Sequence, residues 1–374
     1  MNNKIRPIAL YLPQFHPIPE NDEWWGKGFT EWTNVTKAKP LFKGHHQPNL
    51  PGELGFYDLR VPEVREQQAA LAREHGIEGF MYWHYWFAGK RILERPFQEV
   101  LDSGKPDFPF CLGWANETWT GIWHGLKNKI LIEQTYPGEK DYIAHFDAIL
   151  DALKDPRYIT VDGKPLFFIY KPFDIPGISL FISTWKKLSE NSGLKGVYFV
   201  GLVQDVENEY RVLLEMGFDG VYFQRITEAA DCIFLKKIFQ RLSRKLYVMG
   251  FNKRYITKGV FDYSEFIQHL TKPTDIIENA YPMILPNWDN SPRSGRNSMI
   301  LQNSTPELFR KHIKNVFGLL KKKPAEQRIV FIKSWNEWAE GNYLEPDSQF
   351  GRKYLEVLKE EIEDFEEDEY SDSV

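Results

Sequence analysis

The chain has 374 residues, of which 42% are hydrophobic, and this is enough for a substantial core in one large domain. Its net charge of −5 at pH 7 argues against a nucleic-acid partner, because proteins that bind phosphate backbones normally carry a basic excess. With only two cysteines, the chain has neither a disulfide framework nor a thiolate metal site.

Short apolar runs alternate along the chain with amphipathic helical patterns, which is the order of elements in parallel α/β folds. The predicted strands cover 7–15, 76–86, 109–117, 165–172, 197–203, 219–226, 276–284 and 328–337. The predicted helices include 62–75, 140–153, 178–191, 206–216, 262–271 and 305–322. This pattern predicts an α/β fold of the (β/α)8 TIM-barrel class, whose active sites lie at the C-terminal ends of the strands. A doubly wound sheet is the alternative, but no glycine-rich fingerprint follows the first strand.

Three segments interrupt or extend the barrel pattern. The loop after the first strand runs from about 16 to 61 and is rich in Trp, Pro, Gly and His, which is typical of a functional lid. A second insertion covers 227–261, and the acidic segment 356–374 is predicted to be a helix that frays into a disordered tail. We therefore predict a single catalytic domain over residues 1–355, followed by an acidic tail.

The N-terminal residues lack the apolar core and cleavage site of a secretory signal, and no apolar run is long enough to span a membrane. These observations predict a cytoplasmic protein. Residues 233–246 combine an apolar stripe with clustered lysines and arginines. This segment fits either a helix packed on the barrel with a solvated basic face or a peripheral contact with an anionic membrane surface.

The last predicted strand ends in a cluster of polar and aromatic residues that includes Glu337 and Glu340. In a TIM barrel, a strand that leaves the core in this way delivers polar groups to the barrel mouth. If a helical turn begins here, the two glutamates have Cβ atoms about 5–6 Å apart. Such a pair suits glycoside cleavage, in which one carboxylic acid protonates the leaving oxygen and one carboxylate assists at the sugar ring. Glutamates three residues apart are also common on solvated helices, so the strand-end position and the neighbouring tryptophans favour the catalytic interpretation.

Polar and aromatic side chains follow the other predicted strands in the same way. All twelve tryptophans except Trp185 lie in strand-end segments or the loops after them, which favours stacking on sugars over ordinary core packing. The residues predicted to bind substrate are Gln14, His16, Trp32, Tyr82, Trp83, His84, Trp114, Asn116, Glu117, Trp119, Tyr170, Tyr281, Asn336 and Trp338. Glu117 is also the second choice for a catalytic carboxylate, opposite Glu337, and Glu31 is predicted to bind hydroxyls or anchor the lid.

No cofactor or metal is predicted. The adjacent His45 and His46 cannot easily face one ion, and no histidine pair at helical spacing accompanies carboxylates. The chain has no D-x-D pair and no phosphate-binding loop of the G-x-x-x-x-G-K-[ST] type. Both absences argue against a metal-dependent nucleotide-sugar transferase.

Six stretches, spread over residues 11 to 347, carry a resemblance to a known family. They read YLPQFHPIPENDEWWGKGFTEWTNV, FKGHHQPNLPGELGFYDLR, GFMYWHYWF, FPFCLGWANETW, YPMILPNWDNSPR and WNEWAEGNYLEPD. In these stretches the chain resembles the WbsX-like family of bacterial polysaccharide-locus proteins, which is related to glycoside hydrolase family 99, the endo-α-mannosidase family. The resemblance implies a (β/α)8 barrel with a metal-free site.

In family 99 the N-E-W-x-E-G motif holds both catalytic acids, which correspond here to Glu337 and Glu340. The resemblance implies that Glu337 is the base on the sugar 2-hydroxyl, which gives a 1,2-anhydro intermediate with retention. It implies that Glu340 is the acid, and then the base, at the leaving oxygen. Many relatives read Thr-Arg-Arg-Trp-Asp-Gly after Trp119, whereas this chain reads TGIWHG, so an anion- or hydroxyl-binding subsite is expected to differ.

We therefore expect a retaining, endo-acting glycoside hydrolase or transglycosylase of surface-polysaccharide (O-antigen or capsule) metabolism. Its substrate would be an oligosaccharide or polysaccharide, either free or lipid-linked. One alternative is a glycosyltransferase of polysaccharide biosynthesis, which the missing D-x-D pair disfavours. Another is a glycan-binding barrel without catalysis, which the presence of both glutamates disfavours.

Overall fold

A computed structural model describes residues 4–121, 130–233 and 259–371. A nearly closed parallel barrel is formed by β1 (Arg6–Tyr11), β2 (Gly79–Phe87), β3 (Phe110–Trp114), β4 (Lys164–Ile169), β5 (Tyr198–Val203), β6 (Gly220–Phe223), β7 (Ala280–Tyr281), β8 (Met283–Ile284) and β9 (Ile329–Ile332). Outside it are the short strands Lys90–Ile92, Trp119–Thr120, Ile130–Ile132, Thr160–Val161, Gly259–Asp262, Met299–Gln302, Asn336–Glu337 and Asn342–Tyr343.

The barrel closes through a strand that is broken at Pro282. β7 pairs with β6 before the break, and β8 pairs with β9 after it. Proline has no amide hydrogen for a strand ladder, but the Pro282 carbonyl still accepts a hydrogen bond from the Phe331 amide at 3.1 Å. β1 joins the other edge of β9 to β2, so the (β/α)8 prediction is confirmed, with the predicted strand 276–284 divided in two.

The α-helices with both ends in the described residues are α1 (Pro19–Trp25), α2 (Glu31–Lys37), α3 (Pro62–Glu74), α4 (Arg95–Ser103), α5 (Glu139–Lys154), α6 (Ile178–Asn191), α7 (Val206–Glu215), α8 (Tyr263–Phe266), α9 (Ser291–Ser294), α10 (Pro306–Leu320) and α11 (Lys353–Ser371). A further helix begins at 226 and continues to 233, where the described segment ends. Single 3-10 turns cover Pro172–Asp174, Ile267–His269, Pro273–Asp275, Gly295–Asn297, Ala325–Gln327 and Trp338–Glu340. None of these helices is long and apolar enough to cross a membrane.

The last two helices show how local sequence determines this shell. The Thr305 hydroxyl caps α10 by accepting a hydrogen bond from the Leu308 amide, and Pro306 occupies the first turn, where no amide donor is needed. α10 packs against α11, in which Leu358 and Ile362 are buried. The acidic segment, which was expected to fray, is therefore a regular helix as far as Ser371, because one face of it covers the barrel.

Aromatic side chains fill the barrel interior in layers, as is usual for this fold. Phe168, Tyr222 and Phe331 form the middle layer, with ring centroids 5.1 to 5.5 Å apart. Above it, at the C-terminal ends of the strands, the Trp83 ring lies 5.8 Å from that of Phe168 and 5.7 Å from that of Tyr170. The upper layer is therefore the floor of the barrel mouth.

The long loop after β1 is not structureless, because it contains α1 and α2 and packs on an aromatic cluster. Trp32 lies at the centre of this cluster, with ring centroids 4.6 Å from Phe15 and 5.7 Å from Trp338. Its indole nitrogen donates to the Tyr57 carbonyl at 2.8 Å. The loop is therefore held on the segment that follows β9.

A buried carboxylate, Glu345, ties the same two regions together. It accepts hydrogen bonds from the Tyr57 hydroxyl at 2.8 Å, from Gln68 Nε2 at 2.6 Å and from Trp338 Nε1 at 2.6 Å. Burial raises the pKa of Glu345 to about 7, although these hydrogen bonds favour the charged form. Because its three donors lie in the lid loop, in α3 and in the turn after β9, Glu345 joins three parts of the structure.

Two regions that bear on the sequence predictions lie outside the described residues. Residues 122–129 include most of the TGIWHG segment, and residues 234–258 include nearly all of the basic segment 233–246.

We predict that Gly79→Ala destabilises the protein by about 1–3 kcal/mol, because the new Cβ would overlap the backbone carbonyl of Pro109 on the neighbouring strand. The matched control is Gly318→Ala in α10, where a Cβ meets nothing within 4 Å and alanine favours the helix by about 0.5–1 kcal/mol. Urea unfolding measures both changes. The two changes in unfolding free energy need not be equal in size. An unfolding free energy that Gly79→Ala leaves unchanged would contradict the packing argument.

We predict that Glu345 makes the protein less stable as pH rises. The folded protein holds the Glu345 proton up to about pH 7, whereas the unfolded chain releases it near 4.5, so the stabilisation is complete below pH 4.5 and is lost as pH rises through 7. Glu345→Gln removes this titration. Between pH 4.5 and 8, the unfolding free energy of Glu345→Gln should fall by roughly 3 kcal/mol less than that of the wild type. Parallel stability curves for the two proteins would rule this out.

Candidate active site

The segment after β9 places two glutamates at the barrel mouth. Asn336–Glu337 pairs in antiparallel fashion with Asn342–Tyr343, and the 3-10 turn Trp338–Glu340 joins the two strands. Gly341 ends the turn with φ 60°, where a side chain would also press on the backbone of Asp289. The predicted helical turn is thus a tight 3-10 turn, and it brings Glu337 and Glu340 to one place.

Arg293, from α9, connects the two glutamates to a third carboxylate. Its Nη1 donates to Glu340 Oε1 at 2.7 Å and to Glu337 Oε1 at 3.2 Å, and its Nε donates to Glu31 Oε2 at 3.1 Å. Since both glutamate oxygens lie within hydrogen-bond distance of one nitrogen, they are no more than about 6 Å apart. The loops after β1, β8 and β9 therefore meet at these four side chains, which we call the carboxylate cluster.

The two glutamates of the pair differ in environment. The side chain of Glu337 is 9% exposed and that of Glu340 is 17% exposed. Burial raises the pKa of Glu337, and the nearby charge of Glu340 raises it further, whereas the charges of Lys333 and Arg293 oppose the shift. Glu337 therefore holds a proton more readily than an exposed glutamate does. Glu340 differs in that its Oε2 accepts a further hydrogen bond, from Asn342 Nδ2 at 3.3 Å.

Two tyrosines lie near the cluster, and further aromatic rings pack against them. Burial raises the pKa of Tyr85 and Tyr170, and the charges of Glu337 and Glu340 add to the effect at both residues. The Trp119 ring lies 5.2 Å from that of Tyr85, and the half-buried Trp83 packs edge-on against Tyr170. These side chains make an aromatic wall beside the carboxylates, and a sugar ring can stack against such a wall.

Of the predicted substrate-binding residues, Trp83, Trp119 and Tyr170 belong to this wall, and two more lie close by. Glu117 is exposed at the rim, where it forms an ion pair with Lys171 at 2.6 Å, and its charge also raises the pKa of Tyr170. Gln14 is half-buried, and its carbonyl accepts a hydrogen bond from the Glu31 amide at 3.2 Å. The prediction that Glu31 anchors the lid agrees with its contact with Arg293.

Two predicted residues of β2 face away from the mouth. The Tyr82 ring packs against Phe97 of α4, and His84 Nε2 lies 2.9 Å from His145 Nε2 of α5. Side chains alternate between the two faces of a strand, so Trp83 and Tyr85 point inward while Tyr82 and His84 point toward the helices. Tyr82 and His84 therefore pack against the helices, and their binding of substrate stays a prediction.

Four further predicted residues are buried. Trp114 is fully buried against Phe181 of α6, and Asn116 uses its side chain to bind the backbone of Lys171. The Tyr281 hydroxyl lies 2.6 Å from that of Tyr198, at the N-terminal end of the barrel.

His16 is the fourth of these residues, and it is also buried. Burial lowers its pKa to about 4, and the charged groups that act on it are Asp58, Arg60 and Arg95. None of these groups belongs to the carboxylate cluster, and the binding of substrate by His16 stays a prediction.

The remaining three predicted residues support the site from below. Asn336 binds both backbone groups of Leu12, and Trp338 stacks on Tyr343 with ring centroids 3.8 Å apart. Trp32 packs on Trp338, as described above, and all three predicted side chains are buried. They position the turn that carries the glutamates, and their binding of substrate stays a prediction.

The sequence analysis did not identify Arg293 or Tyr85. Arg293 lies in the stretch YPMILPNWDNSPR, and the only available signal was a charge argument: three carboxylates at one mouth require a cation. Tyr85 was hidden in a run where every residue is aromatic or histidine, so the pattern did not indicate which residues face inward.

Two further observations bear on ligands. Among the described residues, no group of three or more His, Cys, Asp or Glu side chains could hold a metal ion. A polar cavity of about 360 Å³ opens beside the turn after β9, lined among others by His45, Asp289, Tyr343 and Asp347. No member of the carboxylate cluster lines it, so it is separate from the site described here.

Comparison with known proteins adds sequence relatives. The family described as Glycosyltransferase WbsX matches residues 7–358. The uncharacterized protein WxcX of Xanthomonas campestris pv. campestris strain B100 is 37% identical over 359 residues, which is 95% of this chain and 49% of WxcX. WxcX of a second strain is 36% identical with the same coverage. The chain thus spans about half the length of these curated relatives.

Solved structures share the fold at much lower identity. The GH99 endo-alpha-mannosidase from Bacteroides thetaiotaomicron aligns with a TM-score of 0.54 and 16% identity over 98% of both chains. A glycoside hydrolase-like protein aligns with a TM-score of 0.56 and 15% identity, over 96% of this chain and 94% of that one. These structures share the barrel, and the match over nearly the whole sequence shows that the chain belongs to the Glycosyltransferase WbsX family.

Proposed function

We propose that this protein is a glycan-active enzyme that cleaves or transfers a glycosidic bond with retention, using Glu337 and Glu340. The observation that carries the proposal is their shared contact with Arg293 Nη1, which limits the two carboxyl oxygens to a separation of about 6 Å. Retaining glycosidases have carboxyl groups about 5–5.5 Å apart, whereas inverting ones need about 6.5–9.5 Å to admit a water. The limit of about 6 Å set by these contacts lies below the spacing of the inverting enzymes.

The roles of the two glutamates follow from the resemblance to family 99. In this proposal Glu337 removes the proton of the sugar 2-hydroxyl, whose oxygen attacks the anomeric carbon and forms a 1,2-anhydro sugar. Glu340 gives its proton to the departing oxygen and then activates the water or sugar that opens the anhydro ring. The greater exposure of Glu340 suits a group that must reach both a leaving group and an incoming acceptor.

The aromatic wall and the family indicate the substrate class. Trp83, Trp119 and Tyr170 offer partly exposed rings beside the carboxylates, as expected for stacking on sugars in an oligosaccharide or polysaccharide. We place the enzyme in the cytoplasmic metabolism of surface polysaccharides such as O-antigen or capsule, with a free or lipid-linked chain as substrate. The curated relatives are about twice as long as this chain. The activity of the whole protein is therefore part of the same proposal.

A glycosyltransferase is the second candidate, because the family that matches the chain is described as one. A transferase would consume an activated sugar donor and lengthen a glycan, whereas the enzyme proposed here needs no such donor. The two therefore differ in their reactants as well as in their products.

We predict that the wild type shortens the surface polysaccharide of the source organism, or its lipid-linked precursor, without any nucleotide sugar. Glu337→Gln and Glu340→Gln should each lose about 10²–10⁴-fold in rate, because a general acid or base contributes that much. Glu360→Gln on the exposed face of α11 is the matched control. Mass analysis of products is the measurement.

Different outcomes point to different alternatives. Growth of the glycan that depends on a nucleotide sugar would favour the transferase. A loss in Glu117→Gln as large as that in Glu337→Gln, with Glu340→Gln active, would move the catalytic pair to Glu117 and Glu337. An unchanged glycan in all samples would favour a binding protein.

We predict that 2-deoxy and 2-fluoro substrates bind but are not turned over. They carry no 2-hydroxyl proton for Glu337 to remove, so the anhydro sugar cannot form. A nucleophilic carboxylate would instead be trapped as a covalent ester by a 2-fluoro sugar with a good leaving group. Intact-protein mass spectrometry distinguishes the two mechanisms: an added sugar mass on Glu337 would exclude the 2-hydroxyl-base mechanism and keep the enzyme retaining.

A further inference from the structure

The carboxylate cluster has more negative than positive groups. Glu31, Glu337 and Glu340 have side chains that are 4%, 9% and 17% exposed, and all three contact Arg293. The charge of Lys333 also acts on Glu337. Two cations thus face three carboxylates in a buried region, where an unpaired charge is costly. The state of lowest free energy for such a cluster has one of the three carboxyl groups protonated.

The backbone of the short helix that carries Arg293 is held by contacts other than those of the glutamate side chains. Its short helix begins beside Asp289, which accepts hydrogen bonds from the Ser291 amide at 2.9 Å, from Gln47 Nε2 at 2.6 Å and from His45 Nε2 at 2.7 Å. His45 Nδ1 accepts from a backbone amide, so its Nε2 carries the hydrogen that is donated to Asp289. The Asp289 amide in turn donates to the Glu340 carbonyl at 2.8 Å. The helix that carries the Arg293 guanidinium is therefore held by a fixed set of hydrogen bonds.

From this geometry we propose that Arg293 is the positioning residue of the site and that Glu31 is its fixed counter-ion. Together they hold Glu337 and Glu340 as a pair that shares a single proton. This inference rests on the proposed function, which it deepens by assigning roles to two residues outside the N-E-W-x-E-G motif. In this role Arg293 acts through the two glutamates.

One shared proton is the number that the retaining reaction requires. In the free enzyme Glu337 carries it, because Glu337 is the more buried of the pair and Arg293 lies nearer to Glu340. When substrate binds, the proton passes to Glu340, which then donates it to the leaving oxygen while Glu337 accepts the proton of the 2-hydroxyl. The first step moves one proton within the pair. The second moves two, one out of the pair and one into it, so the charge of the pair is unchanged in both steps.

Every charged or titratable group that faces Glu337 enters this balance. Arg293 and Lys333 favour its charged form, whereas Glu31 and Glu340 oppose it. The tyrosines of the wall, Tyr85 and Tyr170, feel the charge of Glu337, and burial raises the pKa of both, so they stay neutral. Arg293 therefore favours the ionised form of Glu337, and Glu31 favours its protonated form.

The test uses opposite charge changes at these two residues. The activity of a pair that shares one proton falls at low pH, where both groups are protonated, and at high pH, where both are ionised. Arg293→Gln should move both limbs of the kcat/KM profile up by about one pH unit or more, and Glu31→Gln should move both limbs down. Arg293→Lys keeps the charge but cannot reach three carboxylates, so it should keep the wild-type limbs and lose kcat.

The matched control is Arg310→Gln, which also removes an arginine from two carboxylates, Glu360 and Glu361, but on the outer helices. It should shift neither limb. Limbs that stay in place in both Arg293→Gln and Glu31→Gln, or that move in the same direction, would overturn the proposal. If Arg293→Gln does not fold by circular dichroism, the downward shift in Glu31→Gln and the unshifted limbs of Arg293→Lys still decide it.

A second readout needs no substrate. The infrared band of a protonated carboxyl, in wild-type minus Glu337→Gln difference spectra, reports the proton on Glu337 directly. The midpoint of this band should move up in an Arg293→Gln background and down in a Glu31→Gln background. Opposite shifts with no glycan cleavage would reject the proposed function and keep this inference. Cleavage of the glycan together with an unshifted midpoint of this band would keep the proposed function and reject this inference.

Discussion

Asn336 hydrogen-bonds both backbone groups of Leu12: its Oδ1 accepts from the amide at 2.7 Å, and its Nδ2 donates to the carbonyl at 3.0 Å. A backbone bond of 2.7 Å from Trp335 to Leu10 lies beside it. These bonds join the exit of the first strand to the exit of the last. The next residue after Asn336 is Glu337, and the Glu31 amide is bound to the carbonyl of Gln14, two residues after Leu12. Both carboxylates are therefore anchored at one point of the barrel rim.

The same region concentrates buried polar groups that a smaller or looser fold could not keep. Glu345 has three hydrogen-bond donors, and Asp289 has three as well. Buried carboxylates that are fully hydrogen-bonded make a rigid frame, because moving any one member leaves the others unsatisfied. The carboxylate cluster, by contrast, has surplus charge. A rigid frame around an unbalanced cluster is the arrangement expected where protons must move without movement of the backbone.

The sequence analysis could not separate inward-facing from outward-facing side chains in the strands, and this has one physical cause. β2 is buried on both faces, by the barrel interior and by the helices, so its sequence GFMYWHYWF has no alternation of polar and apolar residues. Tyr82 and His84 could not be separated from Trp83 and Tyr85 on pattern alone. The burial of Trp114 and Trp338 could not be predicted for a related reason, since a tryptophan at a strand end fits a packed layer under the mouth as well as the mouth itself.

The sequence by itself determined the order and type of the barrel elements and the position of the glutamate turn. These features depend on local hydrophobic periodicity and on the rule that parallel strands deliver their C-terminal ends to one face. Only the tertiary structure decided which aromatic side chains face inward and which cation meets the glutamates. Arg293 and Glu31 are separated by 262 positions and are brought together by closure of the barrel, and no local pattern carries information over that distance.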